Sequence, residues 1–246
     1  MGFWIALQFL TIIPAPFKRE PKEREIASSL VFFPVVGLLI GLFVFLVYWG
    51  LGELFPDAVT SALTLIFWVL VSGAMHLDGL ADTCDGLAGS TPERRLAIMK
   101  DSHTGAFGVV GVGLLLLVKF VALASLYDNL ALSVLLLAPL LGSWAMVLAI
   151  AIFPYARKEG VGKAFKQGSN NIRLMVATTI TLAAAILLGG WRGAAAMAIS
   201  GLLTLLAGAF FKSRLGGLTG DIYGTLKEVN EAAVLIVVPL LLSIVF

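Results

Sequence analysis

Residues 129–153 read NLALSVLLLAPLLGSWAMVLAIAIF, a stretch of 25 residues without a charged side chain. As a helix rising about 1.5 Å per residue it outreaches a hydrocarbon core of roughly 30 Å. Working outward, uncharged apolar runs also cover roughly residues 31–52, 58–75, 174–190, 193–211 and 232–246, and residues 105–126 form another, interrupted only by Lys119. Strands would leave backbone groups unpaired in lipid, and no ten-residue alternating segments suggest a barrel. At 59% hydrophobic and 13% charged residues the composition also excludes a soluble domain. The sequence therefore predicts an all-α, polytopic helical membrane protein with about seven transmembrane helices, a single integral domain over 1–246 and the lipid bilayer as its surroundings. A net charge of +2 gives no reason to expect nucleic acid as a partner.

Charge placement orients the expected bundle. Lys18, Arg19, Lys22 and Arg24 precede the first long span, and Arg94, Arg95 and Lys100 occupy the second connection. Arg157, Lys158, Lys163, Lys166 and Arg173 fall in the fourth, and Lys212, Arg214 and Lys227 in the sixth. The alternate connections contain only Arg192. Basic residues favour the cytoplasmic side, so the expectation is a multi-pass protein of the cytoplasmic membrane whose polar connections face the cytoplasm. The opening MGFWIALQFLTIIP has no basic stretch ahead of it and does not read as a cleaved signal peptide. It predicts a short interfacial helix stopped by Pro14 and Pro16, with Trp4 near the headgroups.

Three carboxylates stand directly after the run 58–75. In His76-Leu77-Asp78-Gly79-Leu80-Ala81-Asp82-Thr83-Cys84-Asp85-Gly86, a helix puts Asp78, Asp82 and Asp85 on one face. Three anions so placed repel one another, and a divalent cation would remove the conflict; a solvated helix end is the simpler alternative. Farther on, Ser90 or Thr91 with Pro92 and Glu93 starts a short helix inside the same connection. The connection at 155–166 is basic and glycine-bearing. The one at 212–224 holds Gly216, Gly217, Gly220 and Asp221 and is followed by Glu228 and Glu231, which read equally as a wet helix start or as a site.

Carboxylates, bases and glycines on one side of a membrane suit chemistry on a diphosphate. Mg²⁺ takes one or two protein carboxylates and completes its shell with phosphate oxygens and water. Arg and Lys neutralise the remaining phosphate charge, and glycines let backbone N–H groups approach. His76 and His103 each read first as structural histidines, and Cys84, the single cysteine, as a small packed residue. Gly37 and Gly41 read as close helix packing that would also permit a homo-oligomer.

The motif at 76–86 resembles the signature of cobalamin synthase, the adenosylcobinamide-GDP ribazoletransferase family. The resemblance continues in Phe32-Phe33-Pro34-Val35-Val36-Gly37, in Met99-Lys100-Asp101-Ser102 through Gly105-Ala106-Phe107-Gly108, in Tyr155-Ala156-Arg157 with Glu159-Gly160, and in Gly216-Gly217-Leu218-Thr219-Gly220-Asp221. It covers nearly the whole chain. Ile12 and the pair Ile222-Tyr223 depart from the residues that many relatives carry.

The resemblance implies a membrane transferase of the last steps of adenosylcobalamin biosynthesis, with Mg²⁺ as cofactor. Its partners would be adenosylcobinamide-GDP and α-ribazole or α-ribazole 5′-phosphate, the 5′-hydroxyl or 5′-phosphate attacking the cobinamide-side phosphorus and GMP leaving. Applied to the matched positions, charge logic gives Asp78, Asp82, Asp85 and Asp221 as metal ligands and Asp82, Asp221 and His76 as catalytic groups. Thr83, Arg94, Arg95, Lys100 and Lys163 are the candidate phosphate contacts. Two alternatives stand beside this reading. A CDP-alcohol-type phosphotransferase would space its acids with an Ala-Arg pair and carry a distant second Asp pair, a pattern this chain lacks, and a secondary transporter would set its acids near the midplane of repeated halves.

Overall fold

The computed structural model describes residues 1–17 and 19–243. Lys18, one of the basic residues read as orienting the bundle, lies outside the described residues, as do residues 244–246 of the last apolar run. The chain forms α1 (Gly2–Leu10), α2 (Glu23–Ser28), a 3-10 turn (Ser29–Phe32), α3 (Phe33–Gly52), α4 (Asp57–Val71) and α5 (Met75–Leu87). There follow α6 (Pro92–Ile98), α7 (Ala106–Ala124), α8 (Asp128–Ile152), α9 (Val161–Gln167), α10 (Asn171–Leu215) and α11 (Gly220–Ser243). Among the described residues there is no strand, only an isolated bridge between Tyr155 and Leu218.

The run 129–153 becomes α8 and is the hub around which α3, α10 and α11 pack. A helix apolar on every side belongs in an interior, and nearly every residue from Val134 to Ile150 is buried. Pro139 lies inside it and has no N–H for the Leu135 carbonyl four residues back. At that level α3 comes closest: a Cβ at Gly41 would stand 2.6 Å from the Leu135 oxygen, and Gly37 lies against the Pro139 carbonyl. The two glycines thus serve packing within the chain, and the surface they would offer to a second copy is already covered.

Among the described residues four helices are long and apolar enough to cross a membrane, the one containing α3 together with α7, α8 and α10. A fifth span arises if α4 and α5, bent by 88°, are taken as one. The difference from the expected seven has physical causes. α10, 45 residues long, contains Gly190 at φ 60°, and Gly193 lies directly against the Ala185 carbonyl, a contact that a straight helix forbids. α10 is therefore a hairpin of two limbs. Trp144 of α8 confirms it by touching both, donating from Nε1 to Thr178 Oγ1 at 3.0 Å and packing its ring on Gly201. α4 is short because Gly73 and Ala74, both at positive φ, turn the chain. α11 fails the test of apolarity because it carries Asp221, Lys227, Glu228 and Glu231.

The last three of those charges are inside the bundle. Lys119 of α7 donates to Glu228 at 2.5 Å and to Glu231 at 2.6 Å, and Lys227 pairs with Glu231. The Lys119 ammonium also sits 4.8 Å from the centre of the Trp68 ring. Ionisable groups this deep need partners, and two lysines against two glutamates make a neutral set. Lys227, read from the sequence as a basic residue of a connection, is a buried interior residue, and Glu228 and Glu231 are not a wet helix start.

The short elements gather where α3, α7 and α11 begin. α1 ends at Leu10, as the prolines predict, and the Ile12 amide donates to the Val71 carbonyl at 2.9 Å, tying α1 to the bend after α4. α6 starts on Thr91, whose hydroxyl accepts from the Arg94 amide, with Pro92 in its first turn.

Candidate active site

Beyond the bend, α5 lies across one end of the bundle, packed against α11 and α7. Glycine decides the approach. A Cβ at Gly79 would stand 2.8 Å from the Asp221 carbonyl oxygen, and one at Gly224 would stand 3.1 Å from the His76 Cα. The Thr225 hydroxyl completes the seam, 2.9 Å from the hydroxyl of Thr83 and 3.2 Å from the Gly79 carbonyl. This seam sets the exposed Asp78 and half-buried Asp82 of α5 beside Asp221 in the first turn of α11. Asp82 lies within electrostatic reach of Asp221, Asp78, Asp85 and Arg157.

Asp221 is positioned from both sides. Gly216, at φ 76°, stops α10, and the chain then passes so close to the loop after α8 that a Cβ at Gly217 would stand 2.7 Å from the Pro154 oxygen. Two backbone bonds clip these loops: the Ala156 amide donates to the Leu218 carbonyl and the Leu218 amide to the Pro154 carbonyl, each at 2.8 Å. Tyr155 stacks on Tyr223, with ring centres 6.4 Å apart. Burial raises the Tyr155 phenol above its ordinary value, so it is a neutral wall. The clip delivers Arg157, whose Nη2 stands 2.6 Å from Asp221 Oδ2 and also donates to the Met99 carbonyl at 3.1 Å. Both side chains of the ion pair keep about a fifth of their surface open, 23% for Arg157 and 20% for Asp221. Beside Arg157 opens a cavity of about 790 Å³ whose polar lining is Glu93, Lys100, Lys158 and Glu159.

Several residues expected at the site do other work. Asp85 accepts from the Gly105 amide at 2.7 Å and the Gly108 amide at 2.8 Å, so both its oxygens cap the start of α7. That engagement gives Asp85 a structural task that Asp78 and Asp82 do not share. His76 is 3% exposed, lies edge-on to Phe9 at 6.5 Å, and has both ring nitrogens buried without a partner among the described residues; it faces the interior and is not placed as a general base. Thr83 is buried in the seam and cannot reach a phosphate. Arg95 donates to the Arg214 carbonyl at 3.0 Å, and Lys163 to the Lys158 carbonyl at 2.6 Å, each bracing a loop. Arg94 is exposed and lines a smaller hollow with Asp85, Asp101 and His103. Of the five expected phosphate contacts, Lys100 alone lines the cavity beside Arg157. Cys84 is packed, its sulfur against Gly111. Ile222 and Tyr223, which follow Asp221 in the chain, are both buried.

Sequence reasoning quoted Arg157 but gave it no role. The signal was the adjoining glycine-rich segment 216–220, since two loops clipped together carry their polar residues to one place. Lys119 had a signal too, because a lone lysine in a 22-residue apolar run demands buried acids elsewhere.

Among the described residues no three Asp, Glu, His or Cys side chains form a ready metal cage. Mg²⁺ does not require one, because it is commonly held by one or two carboxylates and completed by the substrate's phosphate oxygens. Asp82 with Asp78 or Asp221 fits that donor set, all being hard oxygen ligands open to the end of the bundle.

Fold and site together define an all-α, multi-pass membrane protein with a cluster of acids and one arginine paired to Asp221 at a bundle end. The cobalamin-5-phosphate synthase family model matches residues 2–239, and the chain belongs to that family. Similar proteins are the adenosylcobinamide-GDP ribazoletransferase of Geotalea daltonii, 41% identical over 230 residues and 93% of each chain, and that of Pseudomonas fluorescens strain Pf-5, 40% identical over 98% of this chain and 99% of its own. The enzyme of the same name from Pseudomonas putida is 40% identical over 96% of this chain and 97% of its own. No solved structure matches.

Proposed function

We propose that the protein is an adenosylcobinamide-GDP ribazoletransferase working at the end of the bundle where α5 meets α11. The observation that carries the reading is the placement of Asp82 within electrostatic reach of Asp78 and of the Asp221–Arg157 ion pair. A ribose hydroxyl of α-ribazole attacks the phosphorus on the cobinamide side, that phosphorus parts from the bridging oxygen, and GMP leaves with it. When the acceptor is α-ribazole 5′-phosphate, the attacking hydroxyl is one other than that at 5′. The hydroxyl's proton passes to a carboxylate, for which Asp82 is suited because it lies among three other acids.

Such a transfer requires mostly positioning and charge neutralisation. Arg157 offers a planar fork to a phosphate, and Asp221 aims it by holding Nη2. Lys100 and Lys158 at the adjoining cavity add positive charge where the guanosine half of the donor would lie. Mg²⁺, held by Asp82 with Asp78 or Asp221, would neutralise the diphosphate and ease departure of GMP. Asp85 and the Thr83–Thr225 seam hold the frame. The bias of basic residues toward these connections supports a cytoplasmic placement of this end.

The test is product identity. Purified protein in lipid, given adenosylcobinamide-GDP, α-ribazole and Mg²⁺, is expected to release GMP in step with formation of the joined corrinoid. Release of GMP without joining, or joining from a CDP-activated donor with release of CMP, would overturn the assignment.

A further inference from the structure

The opposite end of the bundle holds a second polar feature. A cavity of about 300 Å³ lies where α3 ends and α4 and α8 begin, lined by Glu53, Asp57 and Asp128, by the Tyr48 phenol, and by the Phe45 and Trp49 rings. Asp57 and Asp128 are in the first turns of α4 and α8, where the helix dipole supports an anion. Glu53 has no such support, being the C-cap of α3 at the negative end of its helix. Among the described residues none of the three carboxylates makes an ion pair, and no basic side chain lines the cavity. Tyr48 is 8% exposed and points into this cavity with no hydrogen-bond partner for its hydroxyl among the described residues.

Three anions and an unpartnered phenol around one hollow ask for a positive ligand. Its chemistry follows from the walls. Among the described residues the acids do not converge as a metal cage does, whereas two aromatic rings beside carboxylates are the surroundings that an alkylated ammonium prefers over water. Around the mouth Trp49, Leu54 and Phe55 are exposed, an apolar rim that suits a ligand with an aliphatic portion. We infer that this cavity binds the ammonium group of an organic cation, with Glu53, Asp57 and Asp128 as counter-ions, Tyr48 as a hydrogen-bonding wall and Trp49 as a cation–π face. The site is separate from the acids of α5 and α11 and does not depend on the reaction assigned to them.

An ammonium group comes from a phospholipid headgroup or from a free solute, and the experiment separates them. Full-length protein in detergent is titrated calorimetrically with choline and with ethanolamine, and native mass spectrometry compares retention of phosphatidylethanolamine with phosphatidylglycerol of the same acyl chains. The variants are Glu53→Gln, Asp128→Asn and Tyr48→Phe, with Glu20→Gln as an exposed acid elsewhere. Loss of one carboxylate is expected to weaken ammonium binding about tenfold, the value of one charge-assisted contact, while Glu20→Gln leaves it unchanged. Selective retention of phosphatidylethanolamine without choline binding identifies a lipid site. Binding of choline or ethanolamine that the variants weaken identifies a solute site, and both results together a shared one. Absence of both, equal binding in all variants, or full displacement by Na⁺ or Mg²⁺ at matched concentration overturns the inference.

Discussion

Replacing Lys119 by Met isolates the interior charge cluster. The Lys119 ammonium is 2.5 Å from Glu228 and 2.6 Å from Glu231, and none of these side chains exposes more than 4% of its surface. Without it, Lys227 still neutralises Glu231, so Glu228 is the group stranded without a partner. Removing one member of a buried pair costs roughly 3–5 kcal/mol, most of it the penalty of the uncompensated charge. Loss of the contact with the Trp68 ring adds about 1 kcal/mol. Lys119→Met is therefore expected to lower stability by about 5 kcal/mol, read by SDS-driven unfolding in mixed micelles followed by far-UV circular dichroism. Adding Glu228→Gln leaves the neutral pair Lys227–Glu231 and should recover about half of that loss. A cost for Lys119→Met below about 1 kcal/mol, or no recovery in the double variant, would refute the reasoning.

Asp85→Ala removes the acceptor of two backbone amides at the start of α7 and should cost about 2 kcal/mol in the same unfolding assay, whereas Asp82→Asn should stay within about 0.5 kcal/mol of the parent. Gly79→Ala pushes α5 off the Asp221 backbone and should cut turnover at least about tenfold, measured as GMP release, for a stability loss of about 1–3 kcal/mol. Arg157→Lys keeps a charge but loses the fork, and its turnover should fall about tenfold with the fold intact by circular dichroism. The exposed His103 titrates above its ordinary value because it shares a hydrogen bond with Asp101 at 2.6 Å, a contribution present below the ordinary histidine pKa and lost as pH rises through the raised one. Asp101→Asn should return the His103 titration, followed by NMR, to its ordinary range.

The fold was legible wherever hydrophobicity is uniform. The run 129–153 became the hub α8, and the break read between 190 and 193 is the Gly190 turn of α10. Less legible was any contact between distant segments. Asp78, Asp82 and Asp85 share a helix, but which acid stays open depends on the Gly105 and Gly108 amides, about 20 residues away, arriving at Asp85. Likewise the lysines of the connections could not be ranked by sequence, because charge bias toward one side of the membrane explains each of them equally. Arg157 stands out only once the Ala156–Leu218 clip is seen. Lys227, Glu228 and Glu231 read as polar surface because Lys119, the partner of both glutamates, is over a hundred residues earlier in the chain.

The central claim is that the acids where α5 meets α11 carry the transfer. It is tested most directly by Asp82→Asn, purified in lipid and assayed with Mg²⁺ for joining of adenosylcobinamide-GDP to α-ribazole, with its unfolding midpoint measured in parallel. Loss of turnover by about a hundredfold or more at unchanged stability is the predicted result. Near-parental turnover in a folded Asp82→Asn protein would contradict the account.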